Sequence, residues 1–462
     1  MTLSLALLLP WASGVLLVAL DGRRRAVGLL AVAVLVGTLA LLGVLTAGVL
    51  ADGSREVLTG SWPAGVGIVL RADALGVAFA LLSVLALLAA TAHEVIAGVR
   101  ERTFPGLVVL LAGGLTGLFL TGDVFNFYVF FELSMTASYA LTTYGGERRQ
   151  LRAALVFTAV NLLGSFIFLL SVAGTYRVTG ALAMDGVAQR MVGVDPNAAI
   201  LVATGFFIAF SVKLGLFPFH FWLPTVYAGS RPAVAAILSG AVANIGAYGL
   251  LRFGAGIFPA QLRTGATALI VLGVASLVYG AVLAVARGDV GETLAYSAIG
   301  QVGYVLVAVG VGGAVGLTAA VLYSAVNSLN KTLLFLATEV RGALVAGAFA
   351  VGALSVAGVP PAAGFVGKLE VFRAGVAADS PALVVLLVAG SALSLVYLFQ
   401  VYQHRFWRPE PHAVAVPAAS PLPLRAVTAV LAVLVLAAGL WPEPLLALSD
   451  RAVDALLSRR TG

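Results

Sequence analysis

The 462-residue chain has no cysteine, only three lysines, four histidines and four methionines, and charged residues make up just 10% of it. Without cysteine there is neither a disulfide framework nor a thiolate metal site. The four scattered histidines offer no ligand cluster with metal spacing, so the sequence assigns no metal and no cofactor, and redox chemistry by the chain itself is disfavoured. Scarcity of charge excludes more. At 61% hydrophobic, the composition lies far outside that of a soluble globular domain, and apolar runs of near-bilayer length recur from end to end. The net charge of +7 would suit nucleic acid, but no basic stripe interleaved with aromatics exists. The arginines instead cluster between apolar runs, as in loops that face anionic lipid.

Counting those runs predicts an all-α membrane protein with about fourteen transmembrane helices in a single polytopic domain, 1–442, followed by an interfacial tail, 443–462. The run from Leu3 to Leu20 precedes Arg23, Arg24 and Arg25, the reverse of a secretory signal, and reads as a retained first span. Alternate loops then share a side. One set holds Arg23 to Arg25, Arg100, Arg102, Arg148, Arg149, Arg152, Arg231, Arg287, Arg341, Arg405 and Arg408. The other is poorer: Arg55, Arg71, Arg177, Arg190, Arg252 and Arg263. The bias predicts that the first set is cytoplasmic and that both termini lie outside a cell (inner) membrane. In the tail, Leu445, Leu448, Ala452 and Leu456 recur along one face, which suits a short helix in the interface; a frayed end is the competing reading.

What lysine there is stands out against 24 arginines, because Lys213, Lys331 and Lys368 all fall inside apolar stretches. A buried ammonium can release its proton, whereas a guanidinium hardly can, so the pattern marks three places where a proton is handled within the membrane. Pro218 follows Lys213 in the seventh run, and Pro360-Pro361 precedes Lys368 in the twelfth. Each proline breaks a helix beside a lysine and predicts polar hydration there, since bare backbone at membrane depth needs protein or water to satisfy it. Five spans separate the two breaks, which suggests two inverted five-helix repeats, roughly 105–252 and 266–402. The competing reading of each lysine is a side chain that snorkels to the headgroups.

Glu132, in a stretch rich in aromatics, is the only acid well inside the first half, and a lysine opposite would keep both groups ionised. Glu132 and Lys213 are therefore natural partners: breaking the pair frees an amine to give up its proton, and remaking it recharges the amine. A static ion pair that only fixes helix packing is the alternative. Hydroxyls and amides that could relay protons are Ser324, Asn327, Ser328 and Asn330 before Lys331, Tyr296, Ser297 and Gln301 in the tenth run, and Ser239 and Asn244 in the eighth. Such residues also serve ordinary helix packing. His220, in Phe217-Pro-Phe-His-Phe-Trp-Leu-Pro224, is a gate or an interfacial anchor.

Three blocks carry a family resemblance: Thr121-Gly-Asp-Val-Phe-Asn-Phe-Tyr-Val-Phe-Phe-Glu132 with Ala137-Ser-Tyr139, Lys213-Leu-Gly-Leu-Phe-Pro-Phe-His-Phe-Trp-Leu-Pro224, and Gly364-Phe-Val-Gly-Lys368-Leu. With Leu294-Ala-Tyr-Ser297 they resemble the antiporter-like membrane subunits shared by respiratory complex I, membrane-bound hydrogenases and Mrp-type cation/proton antiporters. Val160-Asn-Leu-Leu-Gly-Ser165, Gly180-Ala-Leu-Ala-Met184 and Asn126 resemble the D branch of the Mrp-type subunits. The resemblance implies a fourteen-helix fold with inverted repeats and breaks in helices 7 and 12, a Glu132–Lys213 pair, and a hydrophilic axis that ends at Lys368. Two positions depart from it. Asn244 stands where the family usually has lysine or histidine, and Asn327 where it often has histidine; neither amide can hold a proton, so the middle of the axis falls to Lys331 and water. The implied function is that of a proton-translocating membrane subunit, not itself an enzyme, in a hetero-oligomeric monovalent cation (sodium)/proton antiporter. A pump subunit of a complex I-like or hydrogenase-linked redox complex is the alternative, and a non-conducting scaffold is the alternative of another class.

Overall fold

A computed structural model describes residues 1–61, 67–407 and 419–457; Arg408 and the last residues of the tail lie outside them. The chain is helical almost throughout. In order, the helices are α1 (Thr2–Ala19), α2 (Arg25–Asp52), α3 (Ala74–Ala97), α4 (Phe104–Phe119), α5 (Val124–Thr142), α6 (Arg148–Thr179), α7 (Met184–Met191), α8 (Pro196–Leu214), α9 (Trp222–Gly229), α10 (Pro232–Ala255), α11 (Pro259–Thr264), α12 (Ala266–Val285) and α13 (Val290–Val311). They continue with α14 (Gly313–Ala337), α15 (Ala343–Ala357), α16 (Ala363–Ala377), α17 (Pro381–Tyr402), α18 (Leu422–Leu440) and α19 (Glu443–Leu457). A small antiparallel hairpin, β1 (Arg55–Leu58) on β2 (Val69–Ala72), joins α2 to α3.

Among the described residues, ten helical segments are long and apolar enough to cross a membrane, α8 with α9 counting as one. Helices α4, α5 and α14 and the pair α15–α16 are shorter or more polar, yet pack among the ten. The chain is thus a multi-pass membrane protein. Burial ranks the spans: α10 and α13 are 94% and 89% buried and form the centre, whereas α1 and α18, at 28% each, form the rim. That order follows from composition, because a rim helix can turn leucine to lipid at no cost whereas a helix carrying Ser, Asn or Gln needs protein partners.

Local sequence sets the ends and breaks. Asp73, Asp123, Asp195 and Asp289 each accept a backbone N–H as the N-cap of α3, α5, α8 and α13. Gly215 and Gly358, at φ 63° and 81°, terminate α8 and α15 in the left-handed region that glycine tolerates best. Both interrupted spans also contain a cis X-Pro bond, Phe217-Pro218 and Pro360-Pro361. Helix α10 stays continuous but contains π turns at Leu238–Val242 and Leu250–Ala255.

One loop assignment needs correction. Arg252 is not in a loop but in the second π turn of α10, 3% exposed, where its guanidinium donates to both carboxylate oxygens of Asp73 at 2.7 and 2.6 Å. Its Nε donates to Tyr248 at 3.0 Å. A bidentate partner with a further acceptor lets a permanent charge sit in the interior, and removing one member of such a pair typically costs about 3–5 kcal/mol. The tail forms helix α19, which buries Ala452, Val453 and Leu456 against α3 and α14; Asp450 accepts from Thr318 at 3.0 Å.

Candidate proton-transfer site

Aromatic packing positions the first half of the site. Phe127 of α5, Phe168 of α6, Phe206 and Phe210 of α8 and Phe253 of α10 form one cluster, with ring centroids 4.8–6.5 Å apart among the pairs in contact. Phe131, next to Glu132, stacks on Phe168 at 5.5 Å. Lys213 then projects from the last turn of α8 so that its Nζ lies 4.2 Å from the centroid of the Phe131 ring. It is 5% exposed and has no hydrogen-bond partner among the described residues. The α8 C-terminus and the ring both favour a cation, by about 1 kcal/mol each, against an insertion cost of about 2.5–3.5 kcal/mol.

Glu132 lies within electrostatic range of Lys213 but forms no direct ion pair with it, and its Oε1 is buried and unpartnered. No locked ion pair joins the two predicted partners in this structure. At the break after α8, the Trp222 indole donates to the carbonyl of Val212 at 3.0 Å, and the backbone N–H of Phe217 donates to Ser276 at 2.9 Å. Side chains thus satisfy part of the backbone for which hydration was expected. His220, beyond the break, packs edge-on to Tyr279 at 4.4 Å and lines a cavity of about 690 Å³ with Arg148, Arg149, Arg152 and Arg287.

The middle of the axis is polar without being titratable. The first π turn of α10 exposes the Gly240 carbonyl, which accepts from Asn244 at 3.0 Å and also from Ser328 of α14. Asn244 donates to Ser83 of α3 at 3.1 Å, and so ties α3, α10 and α14 together. Ser239 and Ser324 instead donate to the carbonyls of Ala235 and Ala320 on their own helices, the local bond a hydroxyl makes in any apolar helix. Asn327 and Asn330 each keep a buried carbonyl oxygen without a partner.

The second half holds two hydrogen-bonded groups of hydroxyls, one around Lys331 and one around Lys368, which meet at the Tyr304–Tyr323 ring contact. Lys331, fully buried, donates to Ser297 at 2.7 Å, and Ser297 shares a hydrogen bond with Tyr397 at 2.8 Å. Gln301 donates to Tyr397 and Ser394, both at 3.2 Å, and accepts from Tyr323. Lys368, 1% exposed, donates to Ser391 at 2.9 Å and to Tyr304 at 3.4 Å. Its Nζ lies 4.4 Å from the Tyr304 ring centroid, and that ring packs on Tyr323 at 5.3 Å. All three lysines thus point inward, and none snorkels to the surface.

The matching family model is described as NADH:quinone oxidoreductase/Mrp antiporter, TM, and it covers residues 121–394, from the loop before α5 to α17. The chain belongs to this family. It is 30% identical over 431 residues to the D subunit of the Na(+)/H(+) antiporter of Alkalihalophilus pseudofirmus, a match that covers 88% of this chain and 87% of that one. The corresponding D subunit of Bacillus subtilis is 29% identical over 429 residues, with the same coverage. Among solved structures, a chain of the Mrp complex from Dietzia sp. superposes with a TM-score of 0.90 at 28% identity, over 98% of this chain and 97% of that chain. A chain of respiratory complex I from Thermus thermophilus superposes at 0.86 and 25% identity, over the full length of both.

Tyr304, Tyr323, Ser391, Ser394 and Tyr397 join the site in the fold but did not stand out in the sequence of this family member. A signal was present: Ser391, Ser394 and Tyr397 recur every three residues on one face of an otherwise apolar run.

Proposed function

We propose that the chain is the proton-translocating membrane subunit of a multi-subunit monovalent cation/proton antiporter. The observation that carries this reading is the set of three inward-facing lysines. One lies unpartnered within electrostatic range of Glu132, and two are held by hydroxyl groups that can pass protons. In the proposed cycle, Glu132 moves toward and away from Lys213, and each separation leaves an ammonium in a site that does not compensate its charge, so the proton leaves. Asn244, Ser328 and water bridge the middle, Lys331 relays, and Lys368 exchanges the proton at the far end. The names of the relatives, as D subunits of sodium/proton antiporters, favour an antiporter assembly over a redox-linked pump. The complex I likeness supports the pump as the second reading, and the partners that co-purify with the chain separate the two. The arginine bias supports a cytoplasmic side at Arg100, Arg148 and Arg231, and the paired breaks support inverted repeats near 105–252 and 266–402.

The test is cation-dependent proton movement in everted vesicles that carry the assembled complex. Lys213→Ala is expected to abolish it and Glu132→Ala to reduce it at least tenfold, with assembly retained; unchanged flux in Glu132→Ala removes the pairing from the mechanism.

A further inference from the structure

At the end of α3 the fold assembles a cluster that no sequence spacing reveals. His93 and Glu94 meet Glu339, which follows α14, and one ligand atom from each of the three lies within 4.8 Å of the others. His93 is 0% and Glu94 1% exposed, and neither imidazole nitrogen has a hydrogen-bond partner among the described residues. Each carboxylate divides its oxygens between two tasks. Glu94 accepts from the Tyr144 hydroxyl at 2.8 Å, and Glu339 accepts from Arg231 at 2.6 Å. The remaining oxygens, Oε1 of Glu94 and Oε2 of Glu339, are buried and unpartnered.

Burying three such atoms together without partners is costly, and one species that accepts all three lone pairs relieves the cost. The arrangement has the features of a metal centre: a nitrogen and two oxygens converge, while outer hydrogen bonds fix the orientation of the ligating carboxylates. An imidazole ligand selects a borderline divalent ion over an alkali cation, which takes oxygen alone. Donors around a tetrahedral zinc ion sit about 3.3 Å apart, so small rotamer shifts close the set and water completes it. Glu339 is the most exposed member of the set, its side chain 29% exposed.

We propose that His93, Glu94 and Glu339 form a divalent transition-metal site of the zinc class. The site would fasten the end of α3 to the segments carrying Tyr144, Arg231 and Glu339, and it is independent of the transport lysines. The test takes the whole complex, purified through this chain, stripped with chelator, and titrated with zinc against a fluorescent indicator. The wild-type complex is expected to bind one more equivalent per copy of the chain than His93→Ala or Glu339→Gln. Tyr144→Phe, a milder change that keeps all three ligands, is expected to weaken that equivalent about tenfold. Lys213→Ala is expected to leave it intact. Identical stoichiometry and affinity in wild type, His93→Ala and Tyr144→Phe overturn the proposal. The same follows from an X-ray absorption spectrum of the zinc-loaded complex that lacks imidazole nitrogen from His93, judged against Glu339→Gln.

Discussion

At the scale of single residues, chemistry is decided by what each polar atom touches. Lys213, Lys331 and Lys368 are all buried, but their surroundings differ: an aromatic face for the first, hydroxyls for the other two. Tyr397 is the hinge of the second group, since its hydroxyl bonds Ser297 on one side and Ser394 and Gln301 on the other. Tyr397→Phe removes that link while keeping the ring's volume, so assembly persists and proton flux in vesicles falls about tenfold or more. Flux equal to wild type would show that protons take another route past Lys331. The lysines and Glu132 were legible in the sequence because a charge in an apolar run is conspicuous. Ser297 and Gln301 could be named as relay candidates, but their partners Tyr397 and Ser394 could not, because Ser297 and Tyr397 lie a hundred residues apart and a lone serine in a membrane helix usually bonds its own backbone, as Ser239 and Ser324 do.

At the scale of elements, interruptions of helical order do the positioning. The breaks between α8 and α9 and between α15 and α16 were readable from proline and glycine, whereas the π turns of α10 were not, since no single residue type encodes them. Yet one π turn presents the Gly240 carbonyl to Asn244 and Ser328, and the other seats Arg252 on Asp73. Helix α10 therefore reads as an ordinary span in sequence while acting as the polar spine of the fold. The α15–α16 break is tied directly to a lysine. Gly358 has φ 81°, and a Cβ there would sit 2.8 Å from Cδ of Lys368. Gly358→Ala is expected to displace the Lys368 stem and cost about 1–3 kcal/mol through strain and overpacking. The measurements are a lower melting temperature of the complex and slower flux; a neutral substitution would mean that Lys368 packs elsewhere.

At the scale of the whole molecule, rim helices rich in leucine surround a centre of α10, α13 and α14, so the buried lysines of the polar axis are shielded from lipid. The periodicity of apolar runs conveyed this class of fold at once. It could not convey which spans are central, nor that His93, Glu94 and Glu339 converge, because both depend on contacts between distant segments. Transport depends on protons being gained and lost by a buried amine. Lys213→Arg in the assembled complex isolates that claim, since it keeps the positive charge but replaces a titratable ammonium by a guanidinium that stays protonated. Cation-dependent proton flux into everted vesicles is predicted to vanish in Lys213→Arg with the complex intact. Flux at the wild-type level would contradict the account, because a permanent charge would then serve as well as a proton-exchanging one.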